Sequence, residues 1–296
     1  MDKQSVRGFL TDIKLLVKGF VLIANILPIL SGFWLALYFT DTSFFELWDK
    51  FLYMTIGGTL VMAGALILNN WYEVDLDSKM KRTQLRPTVS GNFSLQSVLV
   101  LGIISSIIGF IILAFTTLEA TVYGFLGWFT YVVLYTFWTK RRYTLNTVIG
   151  SVSGAFTPLI GWATVTSAYH IVPIVLFIML FIWQIPHTFA IAMRRYEEYK
   201  AANVPMLPVV YGFSMTKRQS LVYVICLLPL PLFLISIGTG FVIITSILNI
   251  VWLIITIHGL FTKEDIKYAN RMFYFSLTYL TIVFGMMILT TLPLFN

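Results

Sequence analysis

The sequence predicts an all-α integral membrane protein of about nine transmembrane helices. Three observations predict it. Of 296 residues, 58% are hydrophobic and only 11% charged, against about 25% charged in soluble domains; a soluble chain this apolar would lack the polar surface that water requires. Apolar runs long enough to cross roughly 30 Å of hydrocarbon as helices fall at 17–39, 52–70, 97–116, 119–138, 147–167, 171–192, 219–237, 239–259 and 272–292. Of the 20 Lys and Arg, 19 lie in the N-terminal arm or in the loops after runs two, four, six and eight, with Lys50 the exception. Positive charge marks the cytoplasmic side, so the N-terminus is predicted inside and the C-terminus outside. The net charge of +7 reads as an insertion signal plus an anion-binding face, not as a nucleic-acid footprint.

Each element has its own reason. Run one is too long for a signal-peptide core and has no clear cleavage site, so it is expected to be a retained span. The arm before it mixes Asp2 and Asp12 with its bases, unlike an organellar transit peptide, which points to a bacterial cytoplasmic membrane and a multi-pass chain. The stretch 219–259 is divided by Ile237-Gly238-Thr239-Gly240, and neighbouring helices can tolerate Pro229 and Pro231 inside run seven. Gly150, Gly154 and Gly161 allow close packing of run five. The lone Cys226 excludes a disulfide within the chain or a thiolate metal site and is expected to be a small buried hydrophobe. Residues 1–296 are expected to form one polytopic domain. The connections after runs two and six are each about 26 residues long, a length that is often functional in a compact protein. Both carry carboxylates, which hints at a duplication of runs one to four in five to eight.

The first long loop reads LNNWYEVDLDSKMKRTQLRPTVSG from Leu68. If run two continues as a helix, Asn69, Glu73 and Asp77 share a face, Asn70 borders it and Asp75 points elsewhere. Carboxylates and amides of this kind suit Mg²⁺, which completes its shell with water and substrate phosphates. The following Lys79, Lys81, Arg82 and Arg86 could hold phosphate oxygens. A solvated loop with internal salt bridges is the alternative, but adjacent asparagines at a membrane edge need partners. Lys140, Arg141 and Arg142 after run four either anchor topology or neutralise a leaving diphosphate.

Run six ends FIWQIPHTFAIAMRRYEEYKAANVPMLPVV from Phe181. Pro186 should kink it and free backbone carbonyls. His187, an ionisable group inside the membrane, is open to haem contact, axial ligation, proton transfer or a structural bond to a neighbouring helix. Beyond it, Glu198 could bind a second Mg²⁺, whereas Glu197 reads as a solvated charge.

These segments, Asn69–Asp77, Tyr135–Gly161, Trp183–His187 and Pro205–Pro208, resemble the intramembrane aromatic prenyltransferase superfamily and, within it, the branch that farnesylates haem B. WQIPH, PMLPVV and the NN…E…D…D run with KMKRT behind it are the most specific pieces, and the similarity spans about 17–290. The resemblance implies nine helices around a central cavity open to the cytoplasmic side. It implies Mg²⁺ as cofactor, with haem B and farnesyl diphosphate as substrates and haem O, bearing a hydroxyethylfarnesyl group completed by water, as product. A haem A synthase is an expected partner besides membrane lipid. By the match, Asn70, Glu73 and Asp77 take the first Mg²⁺–diphosphate role, Glu198 the second, and His187 the haem site. Lys81, Lys140 and Arg141 are the expected diphosphate contacts, followed by Arg82 and Arg86. The sequence departs from the family in Glu73 and Glu198, where Asp is usual, and in VKGF at Val17–Phe20 in place of a TKPR-like segment, which leaves Lys18 without an assigned role. A quinone-pathway prenyltransferase would share the acidic design but not WQIPH. A transporter of haem or of a lipid diphosphate would leave the one-sided acidic and basic clusters unexplained.

Overall fold

A computed structural model describes the backbone of residues 3–292 and the side chains of residues 8–292. The described chain is helical: α1 (Lys3–Leu16), α2 (Gly19–Thr40), α3 (Trp48–Tyr72), α4 (Val74–Asp77), α5 (Pro87–Ser90), α6 (Leu95–Leu113), α7 (Leu118–Phe129), α8 (Asn146–Ala155), α9 (Thr157–Ala163), α10 (Ile171–Arg194), α11 (Tyr196–Ala201), α12 (Leu207–Leu227), α13 (Thr239–Phe261) and α14 (Asp265–Thr290). Among the described residues, eight helical stretches are long and apolar enough to cross a membrane. The ninth expected crossing, at 147–167, is divided between α8 and α9. Its break has a local cause. Pro158 has no N–H to give the Gly154 carbonyl, and the Thr157 hydroxyl donates to that carbonyl instead, at 2.6 Å.

Two further crossings differ from plain helices. After α7 the chain continues as a π-helical segment, Thr130–Thr139, in which the Lys140 N–H donates to the Tyr135 carbonyl five residues back. Such widened turns are frequent at functional sites. Run seven, expected as one helix, is not continuous: beyond Pro229 it becomes a tighter 3₁₀ turn over Leu230–Ile237 that ends at Gly238, φ 143°, because two prolines two residues apart remove successive helical donors. α12 itself begins at Leu207 and bends at Gly212, φ 78°, so part of the second long loop is helical. α10 runs unbroken through Pro186.

Cys226 is exposed, not buried as expected. On a membrane bundle a small apolar side chain can face lipid as readily as core, and Ile103, Ile107 and Ile111 of α6 do the same. The core gathers around α10, where Trp183 packs with Trp252 of α13 and Tyr279 and Phe284 of α14. α2 crosses α9 where two glycines meet. A Cβ on Gly161 would lie 1.9 Å from the Ile29 carbonyl oxygen, and one on Gly32 would lie 2.2 Å from that of Pro158. Each long loop folds into a short helix directly behind its span, α4 after α3 and α11 after α10. The two meet through Leu76 and Met80 against Tyr199 and Ala202, which brings both acidic segments to one rim.

Candidate active site

The rim is built where α3 ends. Glu73 caps the helix with φ −98° and ψ 13°, yet its N–H still donates to Asn69 O (3.0 Å) and the Asp77 N–H to Glu73 O (2.8 Å). This spacing keeps Asn69, Glu73 and Asp77 on one buried face, at 0%, 3% and 3% exposure, while Asp75 stays outside. The face read from the sequence therefore survives the helix break.

Each group on that face meets a cation or a backbone. Glu73 Oε2 accepts from Lys140 Nζ at 2.6 Å, Asp77 pairs with Arg86, and Lys18 donates to Asn69 Oδ1. Asn69 Nδ2 donates to Thr136 Oγ1 at 2.9 Å, fastening α3 to the π segment. Asn70 Nδ2 donates to Leu16 O at 2.5 Å, which ties the end of α1 to the site. Burial alone would raise the Glu73 carboxyl, but Lys140, Lys18 and Arg86 outweigh it and hold it below the usual carboxylate range. Burial also opposes the Lys140 ammonium, and the Glu73 carboxylate overcomes it, so Lys140 titrates above its ordinary range. Lys18 goes the other way: burial first, then Arg86, pushes it well below its ordinary value.

Not every expected contact is in this cluster. Lys81 and Arg82 are exposed, whereas Arg86, ranked behind Lys81, is the cation that reaches Asp77. Arg141 forks onto Asp75 at 2.7 and 2.8 Å and onto Tyr72 O at 2.9 Å. Its hydrogen bonds hold the Asp75 carboxyl below the usual range, and it clamps the loop without entering the buried cluster. Glu198 accepts from Arg195 at 3.0 Å. Lys18 was missed because its role depends on a left-handed turn, φ 48° and ψ 55°, that joins α1 to α2. Among the described residues only two other non-glycine residues, Asp41 and Asn203, adopt a positive φ.

Below the rim lies a cavity of about 240 Å³ between α2, α3, the π segment, α8 and α10. Met62, Leu66 and Trp128 give it an apolar wall, and Tyr131, Tyr135 and Gln184 also line it. Tyr135 joins the two regions, because Lys140 Nζ sits 5.3 Å from its ring centre. His187 does not line this cavity. Its ring is stacked between Trp183 (4.8 Å) and Phe273 (5.3 Å), and its Nδ1 is 2.7 Å from Ser276 Oγ of α14. The histidine expected at the reacting centre is thus turned toward the α10–α14 contact, with its neighbours Gln184 and Thr188 facing the cavity instead.

Among the described residues, no three of His, Cys, Asp and Glu converge into a ready metal cluster; the expected carboxylate ligands are paired with cations instead. Even so, Asn70 Oδ1, Glu73 Oε1 and Glu198 Oε2 are buried without a hydrogen-bond partner among the described residues. A buried oxygen left open is costly. Three of the four expected Mg²⁺ residues each keep one, and a hard cation takes oxygen ligands of this type. The residues present fit the ion.

An ionic rim over a greasy chamber inside a helical bundle describes an integral-membrane enzyme that handles an amphiphile with a charged head. The profile of the UbiA prenyltransferase family matches residues 25–286, and the chain belongs to that family. It is 53% identical over 296 residues to a protoheme IX farnesyltransferase of Oceanobacillus iheyensis, covering 100% of this chain and 94% of that one. It is 48% identical over 288 residues to the protein of the same name from Geobacillus thermodenitrificans, covering 97% and 94%. Among solved structures, a digeranylgeranylglyceryl phosphate synthase superposes with a TM-score of 0.77 at 18% identity, over 95% of this chain and 98% of that one. A UbiA homolog from Archaeoglobus fulgidus bound to GPP and Mg²⁺ gives 0.67 at 14% identity, over 93% and 99%. These two likenesses speak for the fold.

Proposed function

We propose that this chain transfers the farnesyl group of farnesyl diphosphate to a vinyl group of haem B in a bacterial membrane, giving haem O and diphosphate. The reading rests on full-length likeness to relatives named for that activity. The observation that carries it into the site is the trio of open, buried oxygens on Asn70, Glu73 and Glu198 on a rim above an apolar cavity.

The residues divide the work by charge. Lys140 and Arg86, now paired with Glu73 and Asp77, are the cations that a diphosphate would draw toward itself. Lys18 stands beside them. Asn70, Glu73, Asp77 and Glu198 would hold Mg²⁺, which when bound supplies positive charge that stabilises the departing diphosphate. Fixed cations aimed at developing negative charge lower the barrier without reorganisation. Met62, Leu66 and Trp128 take the farnesyl tail and keep bulk water from the allyl cation. Arg141 and Asp75 close the rim, and α10 and α14 are fixed to each other through His187 and Ser276.

Two outcomes test the proposal. In membranes containing the protein, chelating divalent cations with EDTA should abolish diphosphate release from farnesyl diphosphate, and added Mg²⁺ should restore it; full turnover in EDTA would refute the metal role. Arg86→Gln should raise KM for farnesyl diphosphate about tenfold to a hundredfold, the scale of a lost hydrogen bond between charged groups. Arg82→Gln should leave it within about twofold, as for surface substitutions generally. Equal effects of the two would remove the distinction between the buried and the exposed arginine.

A further inference from the structure

Most polar side chains in the cavity wall have spent their donors within the protein. Ser151 and Ser153 donate to the carbonyls of Thr147 (2.8 Å) and Gly150 (2.7 Å), Thr157 donates to Gly154 O, and Asn25 donates to Val21 O at 2.8 Å. Tyr131 also lines the cavity, with its ring centre 5.5 Å from that of Tyr135, the ring against which Lys140 Nζ sits. Gln184 differs. Its Nε2 donates to Leu180 O at 3.1 Å, and among the described residues its Oε1 accepts nothing. Its amide occupies the space beside Gly154: a Cβ there would lie 2.5 Å from Oε1. Thr188, one turn further along the same face, also lines the cavity and makes no side-chain hydrogen bond among the described residues. Gln184 lies ten residues, about 15 Å of helix, before the end of α10 at Arg194, which places the amide inside the bundle.

The proposed reaction needs a polar group at such a place. The C1–O bond of farnesyl diphosphate breaks, and its electron pair leaves with diphosphate. The terminal vinyl carbon of haem B bonds to C1 through its π pair, which leaves a cation on the carbon attached to the porphyrin. Loss of a neighbouring proton would end the reaction as an alkene. Haem O instead carries a hydroxyl at that carbon, so one water must add there while other water stays out. Its oxygen bonds to the cation and its spare proton passes to the released diphosphate; nothing is oxidised or reduced.

We infer that Gln184, seconded by Thr188, is the positioning residue that holds this water. The amide oxygen accepts one water O–H and turns the lone pairs toward the cation, and an amide is too weak a base to keep the proton. Gly154 is part of the device, because any side chain there would displace the amide. This inference rests on the haem-farnesylating reading, and the test separates the two.

Membranes bearing the full chain are supplied with haem B, farnesyl diphosphate and Mg²⁺, and the extracted haems are read by mass. The wild type should yield haem O. Gln184→Met, similar in length but without the acceptor, should raise the ratio of the alkene, lighter by the elements of water, to the alcohol by about tenfold, the scale of one lost hydrogen bond. Gly154→Ala should shift the ratio in the same direction. Gln184→Glu, which keeps a carbonyl acceptor at the same reach, should retain the alcohol as the main product. Where Gln184→Met does not accumulate, Gln184→Asn, whose amide is drawn back by one methylene, carries the same expectation. An unchanged alkene-to-alcohol ratio in these variants overturns the role of Gln184. Absence of any farnesylated haem from the wild type overturns the reaction itself, a different and separately visible failure.

Discussion

Asp77→Asn is expected to lower farnesyl transfer by about 10²- to 10³-fold, the range measured when one preorganised electrostatic partner is removed from a reacting site. The substitution keeps the shape of the side chain and an oxygen that can accept from Arg86, so α4 and the loop around it should stand. What it removes is charge. Asp77 is 3% exposed and pairs with Arg86 at the buried rim, where low dielectric makes each charge count for more than in water. The check is turnover per unit of membrane-inserted protein, with insertion followed independently by protease protection of the loops. Activity close to wild type would remove Asp77 from the site.

The second large effect is on stability. Gly161→Ala places a methyl 1.9 Å from the Ile29 carbonyl oxygen and 2.7 Å from the Phe33 nitrogen. Both are backbone atoms, so no side chain can rotate away and α2 and α9 must separate. Overpacking of this kind costs about 1–3 kcal/mol, and thermal unfolding in detergent should come about 5 °C earlier, at a few degrees per kcal/mol for a chain of this size. Because Ile160 of α9 and Leu22 and Asn25 of α2 line the cavity, activity should fall with stability. Gly240→Ala, with nothing within 4 Å of the added carbon, should leave the melting temperature unchanged. Equal melting temperatures for both variants would show that the α2–α9 crossing is not as tight as described.

The bundle was readable in the sequence because its causes are summed over many residues. Predominantly apolar runs of about twenty residues and a one-sided distribution of Lys and Arg do not depend on any single contact. Glu73 and Asp77 were readable as neighbours because a four-residue spacing survives even a capped helix end. The rest depends on turns that no periodicity announces. Lys18 reaches Asn69 only through a left-handed residue, and Arg86 comes back to Asp77 only because the loop turns over Asp77–Arg86. Tyr131 and Tyr135 face the cavity along a π-helical stretch that reads as ordinary helix. For His187, the motif marks the helix but not the side of it that lines the cavity. Its Nδ1 meets Ser276 and its ring lies between those of Trp183 and Phe273, and it is Gln184 of the same motif that lines the cavity.

We propose that the ionic rim and the chamber below it serve one reaction, farnesylation of haem B. The most direct measurement is the mass of the pigment extracted from membranes containing this protein after incubation with haem B, farnesyl diphosphate and Mg²⁺. The expected product is a haem heavier than haem B by one farnesyl group and one hydroxyl, lowered by about a hundredfold or more when Asp77→Asn replaces the wild type. Unmodified haem B alongside a prenylated quinone precursor would contradict it.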